Sequence, residues 1–365
     1  MNVWFFLDYA PSYSGNLIPC LAALASRLRA RGDSVSALFP SRAAGMDWLH
    51  SLDDIEVRYC DFNCRDLYEF SRKLKASEGR ELIVHAHFLS PVQLAAVRCV
   101  FPRVVHHYHM TLPEKYGFDR LAKDGFRAVV FRCCTNIAVS PAVANAMKAR
   151  LCLPSGSIAC IPNAVDFSAP RIAVSRQEEV FKTEGDGRFT VGMFGTDFNR
   201  KGVDIAFDAI KMLGDDYHLL VLAYNVKFTY DCLQASGLEG SHVTVLSVVE
   251  NVGTFFESID LFISPSREEA FCYAVVEAAW SNCQVAASLV AGQDFLQSIP
   301  GSIWFEPNST ALTHAILEAR NRTSDPAMLG NLNRKQRNFC EANYSVSSWC
   351  DKILSIYDGF SNGAS

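Results

Sequence analysis

Short apolar runs alternate with amphipathic stretches along almost the whole chain. The first run, Asn2–Leu7, precedes a polar turn and apolar residues at helical spacing over Asn16–Arg29, and the second run, Val35–Phe39, follows Gly32. Apolar runs of about four to eight residues predict buried strands, whereas apolar positions three and four apart predict helices. Strands that alternate with helices in this way favour an α/β fold built on parallel sheets.

Two series of this kind follow one another. Further strands of the first series are predicted at Ile55–Tyr59, Leu82–His87, Val104–His107 and Thr135–Val139. Those of the second are predicted at Phe189–Phe194, His218–Ala223, Val243–Leu246 and Leu261–Ile263. The intervening helices are Asp66–Lys75, one from Pro91, one capped by Ser140 and ending near Leu151, Val203–Leu213, one near Val252–Ser258, and Phe271–Ala279. We therefore expect two doubly wound, Rossmann-like parallel-sheet domains.

The polar segment between the two series predicts a linker, because it is charged and lacks periodicity. The expected organisation is a first domain over residues 1–167, a linker over 168–188 and a second domain over 189–342. An amphipathic helix is expected at 343–360.

The stretch Leu261–Ser288 combines a strand, a polar loop, a helix and a second strand. Glu269 lies in the loop, and Glu277 stands inside the apolar sequence AVVEAA, where a buried carboxylate needs a hydrogen-bond partner. Ligands of open α/β sheets sit at the carboxyl ends of the strands. Carboxylates accept hydroxyl protons and free helix amides bind anions, so the stretch suits a ligand with hydroxyls and phosphate. The alternative is a solvated helix residue and an ordinary loop charge.

A second motif, GTDFNRKGVD, joins a strand to a helix and contains adjacent cations, Arg200 and Lys201. Like charges side by side in a crevice are unfavourable unless an anion lies between them. A diphosphate would supply that anion, with Arg giving fork-shaped hydrogen bonds and Lys a point charge. Two solvated loop cations are the alternative.

Composition narrows the class of protein. The chain has 365 residues, of which 49% are hydrophobic and 20% charged, an ordinary globular composition long enough for two domains. No apolar run reaches the roughly 18 residues of a membrane span. Residues 1–171 hold 20 Lys/Arg and 15 Asp/Glu, whereas the remainder holds 14 and 24. A basic first half fits an anionic surface or acceptor, and no basic run interleaved with aromatics argues for nucleic acid.

Histidines cluster in HAHF, with His85 and His87, and in HHYH, with His106, His107 and His109. Each cluster ends a predicted strand and lacks the helical i,i+4 spacing of a zinc pair, so we expect no metal site. A histidine at a strand end can instead orient a substrate. The 13 cysteines are scattered without a CxxC pair, which is typical of reduced thiols in a cytosolic protein.

Residues 265–278, PSREEAFCYAVVEA, resemble the E-x7-E signature of the GT-B retaining glycosyltransferases of family 4, whose usual form is P-S-x-x-E-G-F-G-x-x-x-x-E-A. GTDFNRKGVD resembles G-S-D-F-x-R-K-G-V-D of the lipopolysaccharide core glucosyltransferases, and residues 162–166, PNAVD, resemble the family's P-N-G-V-D. The resemblance implies a GT-B fold, with two Rossmann-like domains facing each other across a cleft. It also implies that the helix 343–360 packs back on the first domain.

The resemblance assigns a role to each motif residue. Glu269 would bind the sugar hydroxyls and Glu277 the ribose hydroxyls of a nucleotide-sugar donor, while Arg200 and Lys201 would hold its diphosphate. The family's histidine after the fifth strand, which contacts the donor sugar, matches His109, with His106 and His107 left open. The remaining donor-binding residues would be Ser14, Gly15, Gly195, Ala270, Phe271 and Cys272.

The sequence departs from the family pattern at two positions of the signature and in the family's later G-x-P, which is Asn282-Cys283-Gln284 here. Ala270 and Cys272 replace two loop glycines, so side chains crowd a loop whose backbone should approach the donor. Asn282 replaces a third glycine, and asparagine tolerates positive φ.

The implied function is retaining transfer of a hexose from a UDP-sugar, with UDP-glucose favoured, to a glycan or lipid-linked acceptor in cell-envelope polysaccharide synthesis. No cofactor and no metal are expected, because two cations take the metal's place and the sequence lacks D-x-D. One alternative is a non-catalytic GT-B partner subunit, supported by Ala270, Cys272 and Thr196. A less favoured alternative is a GT-B sugar-nucleotide epimerase.

Residues 113–132 mix basic and apolar side chains. The segment predicts either an amphipathic element that contacts a membrane surface or the acceptor, or a solvated helix with its apolar stripe on the first domain. The expected location is the cytoplasm, with a peripheral position on the inner face of the plasma membrane as an option.

Overall fold

The computed structural model describes residues 1–11, 14–78, 82–112, 118–167, 187–238, 240–247 and 252–362. The chain forms two compact units, Met1–Asp166 with Val346–Ser365, and Phe167–Ser345. The predicted linker 168–188 lies outside the described residues except for its last two positions.

The first unit is built on one parallel sheet. Its strands are β1 (Asn2–Leu7), β2 (Ser34–Pro40), β3 (Glu56–Cys60), β4 (Leu82–His87), β5 (Arg103–Tyr108), β6 (Thr135–Ala138) and β7 (Ile158–Cys160), and its helices before residue 167 are α1 (Leu17–Ala30), α2 (Cys64–Glu78), α3 (Pro91–Arg98), α4 (Phe118–Arg132) and α5 (Pro141–Leu151). The strand order is β3-β2-β1-β4-β5-β6-β7. β1 is almost entirely buried, as expected for a parallel strand covered on both faces.

The second unit repeats this plan. Its strands are β8 (Phe189–Phe194), β9 (Tyr217–Ala223), β10 (Val243–Ser247), β11 (Leu261–Ser264), β12 (Gln284–Ser288) and β13 (Ile303–Phe305), and its helices are α6 (Val203–Leu213), α7 (Val226–Ser236), α8 (Gly253–Glu257), α9 (Tyr273–Trp280), α10 (Ser309–Arg322) and α11 (Pro326–Tyr344). The strand order β10-β9-β8-β11-β12-β13 reverses direction between β8 and β11. Parallel α/β sheets bind ligands at such a switch point.

The last helix, α12 (Val346–Asn362), belongs to the first unit. Trp349, Ile353 and Tyr357 are four residues apart and are buried in the same apolar core as α1. Arg27 of α1 and Arg31, the C-cap of α1, also form ion pairs with α12, but these pairs are exposed and contribute at most about 1 kcal/mol. Apolar burial therefore holds α12 in place.

Four predicted elements match the observed ones at both ends, namely Asn2–Leu7, Leu82–His87, Phe189–Phe194 and Val203–Leu213, and most others differ by one or two residues. The predicted helix Phe271–Ala279 instead begins at Tyr273, because Cys272 is its extended N-cap. The predicted helix 343–360 is also wrong at its start, since Ser345 has an extended backbone and separates α11 from α12. Five elements, α7, α10, α11, β7 and β13, were not predicted from the sequence.

The membrane-contact prediction falls partly outside the described residues, which omit 113–117. The remaining part forms α4. None of the described helices combines the length and apolar character needed to cross a bilayer.

Candidate active site

Two loops meet at the switch point of the second unit. We term residues 195–202, after β8, the cation loop, and residues 265–272, after β11, the glutamate loop. β8 and β11 are hydrogen-bonded neighbours, so both loops leave the same edge of the sheet. Gly202 has φ +69°, and a Cβ at this position would lie 2.1 Å from the Pro265 carbonyl oxygen. The two backbones are therefore in direct contact, which only glycine permits here.

Arg267 fastens the two loops together. Its guanidinium donates to both carboxylate oxygens of Asp204 at 2.8 and 2.6 Å and to the carbonyl of Asn199 at 2.7 Å. Its amide donates to the carbonyl of Arg200 at 2.8 Å. Burial would raise the pKa of the Asp204 carboxyl, but the bidentate contact with Arg267 holds it below its ordinary value.

Glu269 lies between the two cations of the cation loop. Its carboxylate is 2.5 Å from Lys201 Nζ and 3.4 Å from Arg200 Nη1, and it accepts a hydrogen bond from Ser266 Oγ at 2.9 Å. The Glu269 side chain is only 5% exposed. From the sequence we expected a ligand to supply the anion between Arg200 and Lys201. That expectation is incomplete, because a protein carboxylate already lies there.

Lys201 stays protonated although its side chain is largely buried. Burial would lower its pKa, but neighbouring Cys272 and Glu269 raise it above the ordinary value. Burial raises the pKa of the Cys272 thiol, so that group is neutral near pH 7. Glu269 is thus the partner that keeps Lys201 protonated.

A network of buried polar side chains supports the glutamate loop. Gln293 Nε2 donates to the carbonyl and hydroxyl oxygens of Ser288 at 2.7 and 2.8 Å, and Ser264 Oγ donates to Gln293 Oε1 at 3.1 Å. Ser288 Oγ donates to the Ser266 carbonyl at 2.6 Å, beside the Ser266 hydroxyl that bonds Glu269. A fully buried, hydrogen-bonded network of this kind rigidifies its surroundings.

The roles of Ser264, Ser288 and Gln293 were not predicted from the sequence. The available signal was a serine at the last position of two apolar strands that pair with each other. Gly292 was missed as well. It has φ +91°, and an added Cβ would meet the Glu269 carbonyl oxygen at 1.8 Å, so a third loop presses on the glutamate loop.

The loop residues that replace family glycines fit without unusual backbone. Among the described non-glycine residues, positive φ occurs at Phe88, Cys152 and Asn282, so neither Ala270 nor Cys272 needs it. The expectation that Asn282 adopts positive φ is confirmed, with φ +63°. The two side chains therefore impose no left-handed conformation on the glutamate loop.

The other predicted donor residues of this unit have different surroundings. Phe271 is buried against Phe295 and Tyr344, so a ligand contact at this position would come from its backbone. Gly195 is buried at the end of β8 and donates its amide to Leu222. Glu277 lies in α9 and is half-buried, so the expectation of a buried carboxylate is wrong.

The predicted residues of the first unit lie near the carboxyl ends of its strands. The carbonyl of Ser14 accepts a hydrogen bond from Tyr9 Oη at 2.9 Å, and Gly15 has φ +55°. His109 stacks on Phe88 with ring centroids 4.5 Å apart, and Phe88 stacks on Tyr9. Phe88 has φ +60°, a strained value for an aromatic residue that costs about 1–3 kcal/mol.

The three histidine candidates of β5 and its end differ in orientation. His106 is buried and bonds Asn136 through Nδ1 at 3.1 Å, whereas His107 and His109 stack on each other. His107 is fully buried and His109 is half-buried, which favours His109 as the ligand contact. Burial lowers the pKa of His109 to about 3 and that of His106 to about 4, so both rings are neutral near pH 7.

Family models match both units of the chain. The model of Glycosyltransferase Family 4 matches residues 20–169, and that of Glycosyl transferases group 1 matches residues 188–321. No curated protein sequence is significantly similar to the chain.

Solved structures with the same fold cover nearly the whole chain. A glycosyltransferase from Rickettsia africae ESF-5 is 16% identical with a TM-score of 0.79, covering 99% of each chain. HepE (Alr3699) from Anabaena in complex with UDP is 17% identical with a TM-score of 0.79, covering 98% of this chain and 100% of the other. WaaG, a glycosyltransferase involved in lipopolysaccharide biosynthesis, is 16% identical with a TM-score of 0.67, covering 97% and 99%. The fold is GT-B, and the chain belongs to the glycosyltransferases described by the family 4 and group 1 models.

Proposed function

We propose that the protein transfers a hexose from a UDP-sugar, with UDP-glucose favoured, to a glycan or lipid-linked acceptor with retention of configuration. The observation that carries this proposal is the buried contact of Glu269 with Arg200 and Lys201 at the switch point of the second unit. It presents two fixed cations to an anionic ligand without leaving like charges unpaired in the free protein.

The cations match the charge that develops on a departing diphosphate. Lys201 is 16% exposed and Arg200 is 39% exposed, so both can contact a ligand while Glu269 and Asp197 orient them. Electrostatic groups that are fixed before the reaction stabilise such a charge without reorganisation. We assign Arg200 and Lys201 to the diphosphate and expect no need for a metal ion there.

Glu269 and Glu277 take the two ends of the donor. The Glu269 carboxylate has lone pairs that Lys201, Arg200 and Ser266 do not use, and these accept hydrogen bonds from the sugar hydroxyls. Glu277 is half-exposed and accepts hydrogen bonds from the ribose hydroxyls. His109 stays the predicted contact of the transferred sugar. The UDP-glucose complex of HepE supports a donor of this class.

The configuration of the anomeric carbon is retained when the diphosphate leaves and the acceptor enters on the same face of the sugar. The bond from the anomeric carbon to the diphosphate oxygen breaks, and the acceptor hydroxyl forms its bond from the same side. The acceptor proton passes to the departing phosphate oxygen, which Arg200 and Lys201 have made a better leaving group.

The test incubates the purified chain with UDP-glucose, UDP-galactose and GDP-mannose, and follows release of nucleotide and free sugar in the absence of acceptor. Slow release of UDP and free sugar from one UDP-sugar, unchanged by added Mg²⁺ or Mn²⁺, is expected. Because free hexoses mutarotate, the configuration is determined on a glycoside formed with an added acceptor alcohol, and an inverted glycoside would contradict retention. A requirement for added metal would contradict the assignment of the cations, and an epimerised UDP-sugar would contradict transfer.

A further inference from the structure

Four histidines share one face of the first unit's sheet. His85 and His87 alternate along β4, and His107 and His109 alternate at the end of β5, so the period of two places each pair on one side. His87 and His107 are register partners, which aligns the pairs. We term these four residues the imidazole cluster.

The cluster contains buried nitrogen atoms without hydrogen-bond partners. Among the described residues, these atoms are His85 Nε2, His87 Nε2 and both ring nitrogens of His107. The three side chains are at most 1% exposed, so bulk water does not satisfy them. Buried polar atoms are normally hydrogen-bonded, and an exception calls for an explanation such as a bound ion.

We propose that His85, His87 and His107 bind one divalent transition metal ion, with Zn²⁺ as the ion that their chemistry favours. One ligand atom from each residue lies within 4.8 Å of the other two. Imidazole donors suit zinc-type ions, whereas Mg²⁺ and Ca²⁺ prefer oxygen ligands. The proposal does not depend on the transfer reaction, because none of these three residues is assigned to the diphosphate.

The hydrogen bonds around the cluster direct lone pairs toward the ion. His85 Nδ1 lies 2.6 Å from the Tyr357 hydroxyl, and His87 Nδ1 lies 3.0 Å from His109 Nε2. If each Nδ1 carries the proton and donates it to these partners, both Nε2 atoms present a free lone pair. Metal-binding histidines generally donate their second ring N–H to such an outer partner, which fixes the ring and its tautomer.

Coordination requires a modest contraction of the cluster. Zn–N bonds of about 2.0–2.1 Å place tetrahedral ligand atoms roughly 3.4 Å apart. The rings of His85 and His107 are nearly parallel, at 7°, so one ring must turn for both lone pairs to converge. His107 can turn without losing a hydrogen bond, since neither of its nitrogens has one. Three histidines leave the fourth position of a tetrahedral ion to water.

The experiment uses the full chain without a histidine tag, stripped of metal by a chelator and dialysed against Zn²⁺ or Co²⁺. One bound ion per chain, a Zn²⁺-dependent rise in melting temperature and the intense visible absorption of four-coordinate Co²⁺ are expected. His107→Ala should abolish all three. Tyr357→Phe should weaken binding by about 10-fold to 100-fold, because it removes the outer partner of His85.

Two variants serve as matched controls. His106 lies on the same strand but bonds Asn136, and His50 is exposed, so His106→Asn and His50→Ala should keep the bound ion. Wild-type protein that binds no stoichiometric Zn²⁺, or a weak six-coordinate Co²⁺ spectrum, would overturn the proposal even if a variant failed to fold. Full binding by folded His107→Ala would overturn it as well.

Discussion

We term Glu269, Arg200 and Lys201 of the second unit the charged cluster. It lies at a similar place in its sheet to the imidazole cluster in the sheet of the first unit, but the two clusters differ in how their buried polar groups are satisfied. Both lie toward the carboxyl ends of parallel strands, and each has buried side chains at its centre, namely Glu269 in the first and His85, His87 and His107 in the second. Glu269, Arg200 and Lys201 compensate one another through opposite charges. The histidines are neutral, and four of their nitrogen atoms have no partner among the described residues.

The difference indicates how each cluster meets a ligand. A paired charged cluster is already organised and needs only an anion of the right shape, which it binds by sharing its cations. The imidazole cluster gains hydrogen-bond or coordination partners only when something enters. Changes to the charged cluster should therefore affect reaction rate and stability strongly, and changes to the imidazole cluster should matter most when metal is present.

The largest effect is expected for Lys201→Ala. Removing a charge-assisted donor to the leaving group should lower kcat about 10²-fold to 10³-fold, or about 3–4 kcal/mol of transition-state stabilisation. Steady-state kinetics with UDP-glucose measures it, and Arg200→Lys should recover only part of an Arg200→Ala defect, because a point charge cannot replace the fork.

Lys211→Ala is the matched control, since Lys211 is an exposed lysine of the same unit that bonds the Ser236 carbonyl. Normal turnover is expected there. If Lys201→Ala also turned over normally, the charged cluster would be structural and the reaction would need another electrophile.

Much of this arrangement could be predicted from the sequence. Strand–loop–helix patterning placed GTDFNRKGVD and PSREEAFCYAVVEA at strand ends, and the resemblance paired them. The role of Glu269 as counter-ion was not predictable, because local spacing does not show that residues 68 apart in the chain touch. The Gln293 network also depends on contacts that only the folded loops create.

The grouping of the histidines was not predicted for a different reason. The i,i+4 spacing of a zinc pair applies to helices, whereas strand residues share a face at i,i+2. The strand period would have grouped His85 with His87 and His107 with His109, and placed His106 on the other face. The pairing register that joins the two groups came from the structure.

The next effect tests the charge balance directly. Glu269→Gln leaves two cations beside each other and should lower the free energy of unfolding by about 3 kcal/mol, the lower end for breaking a buried pair, because Arg200 is partly exposed. Urea denaturation measures the loss. UDP should then raise the melting temperature more than in wild type, since its diphosphate replaces the missing anion.

Glu268→Gln changes an exposed neighbour on the same loop and should behave like wild type in both measurements. A wild-type stability for Glu269→Gln would mean that solvent, and not Glu269, balances Arg200 and Lys201.

A smaller effect is expected at the ribose end. Glu277→Ala removes an acceptor for hydroxyl groups and should weaken UDP binding about 10-fold to 100-fold, the range for hydrogen bonds that involve a charged group. Thermal shift against UDP concentration measures it, with exposed Asp208→Ala as the control. Equal UDP shifts in wild type and Glu277→Ala would remove Glu277 from the donor site.

The smallest effect is expected at the imidazole cluster without metal. Tyr357→Phe removes the hydrogen bond to His85 Nδ1 and should cost about 1 kcal/mol in the metal-free protein. Urea denaturation with and without Zn²⁺ measures it. The loss of unfolding free energy should be larger when Zn²⁺ is present. An equal loss under both conditions would mean that Zn²⁺ does not act through the imidazole cluster, and the proposed difference between the two clusters would not hold.

The contact between Gly202 and the Pro265 carbonyl has a consequence for how this site tolerates change. It joins backbone to backbone, so the spacing of the cation loop and the glutamate loop depends on this contact and on the Arg267 side chain more than on their other side chains. We therefore expect the partly exposed Thr196 and Ala270 to tolerate exchange while Lys201 stays opposite Glu269. Gly202 itself should not tolerate exchange, because any side chain there would collide with the Pro265 carbonyl oxygen.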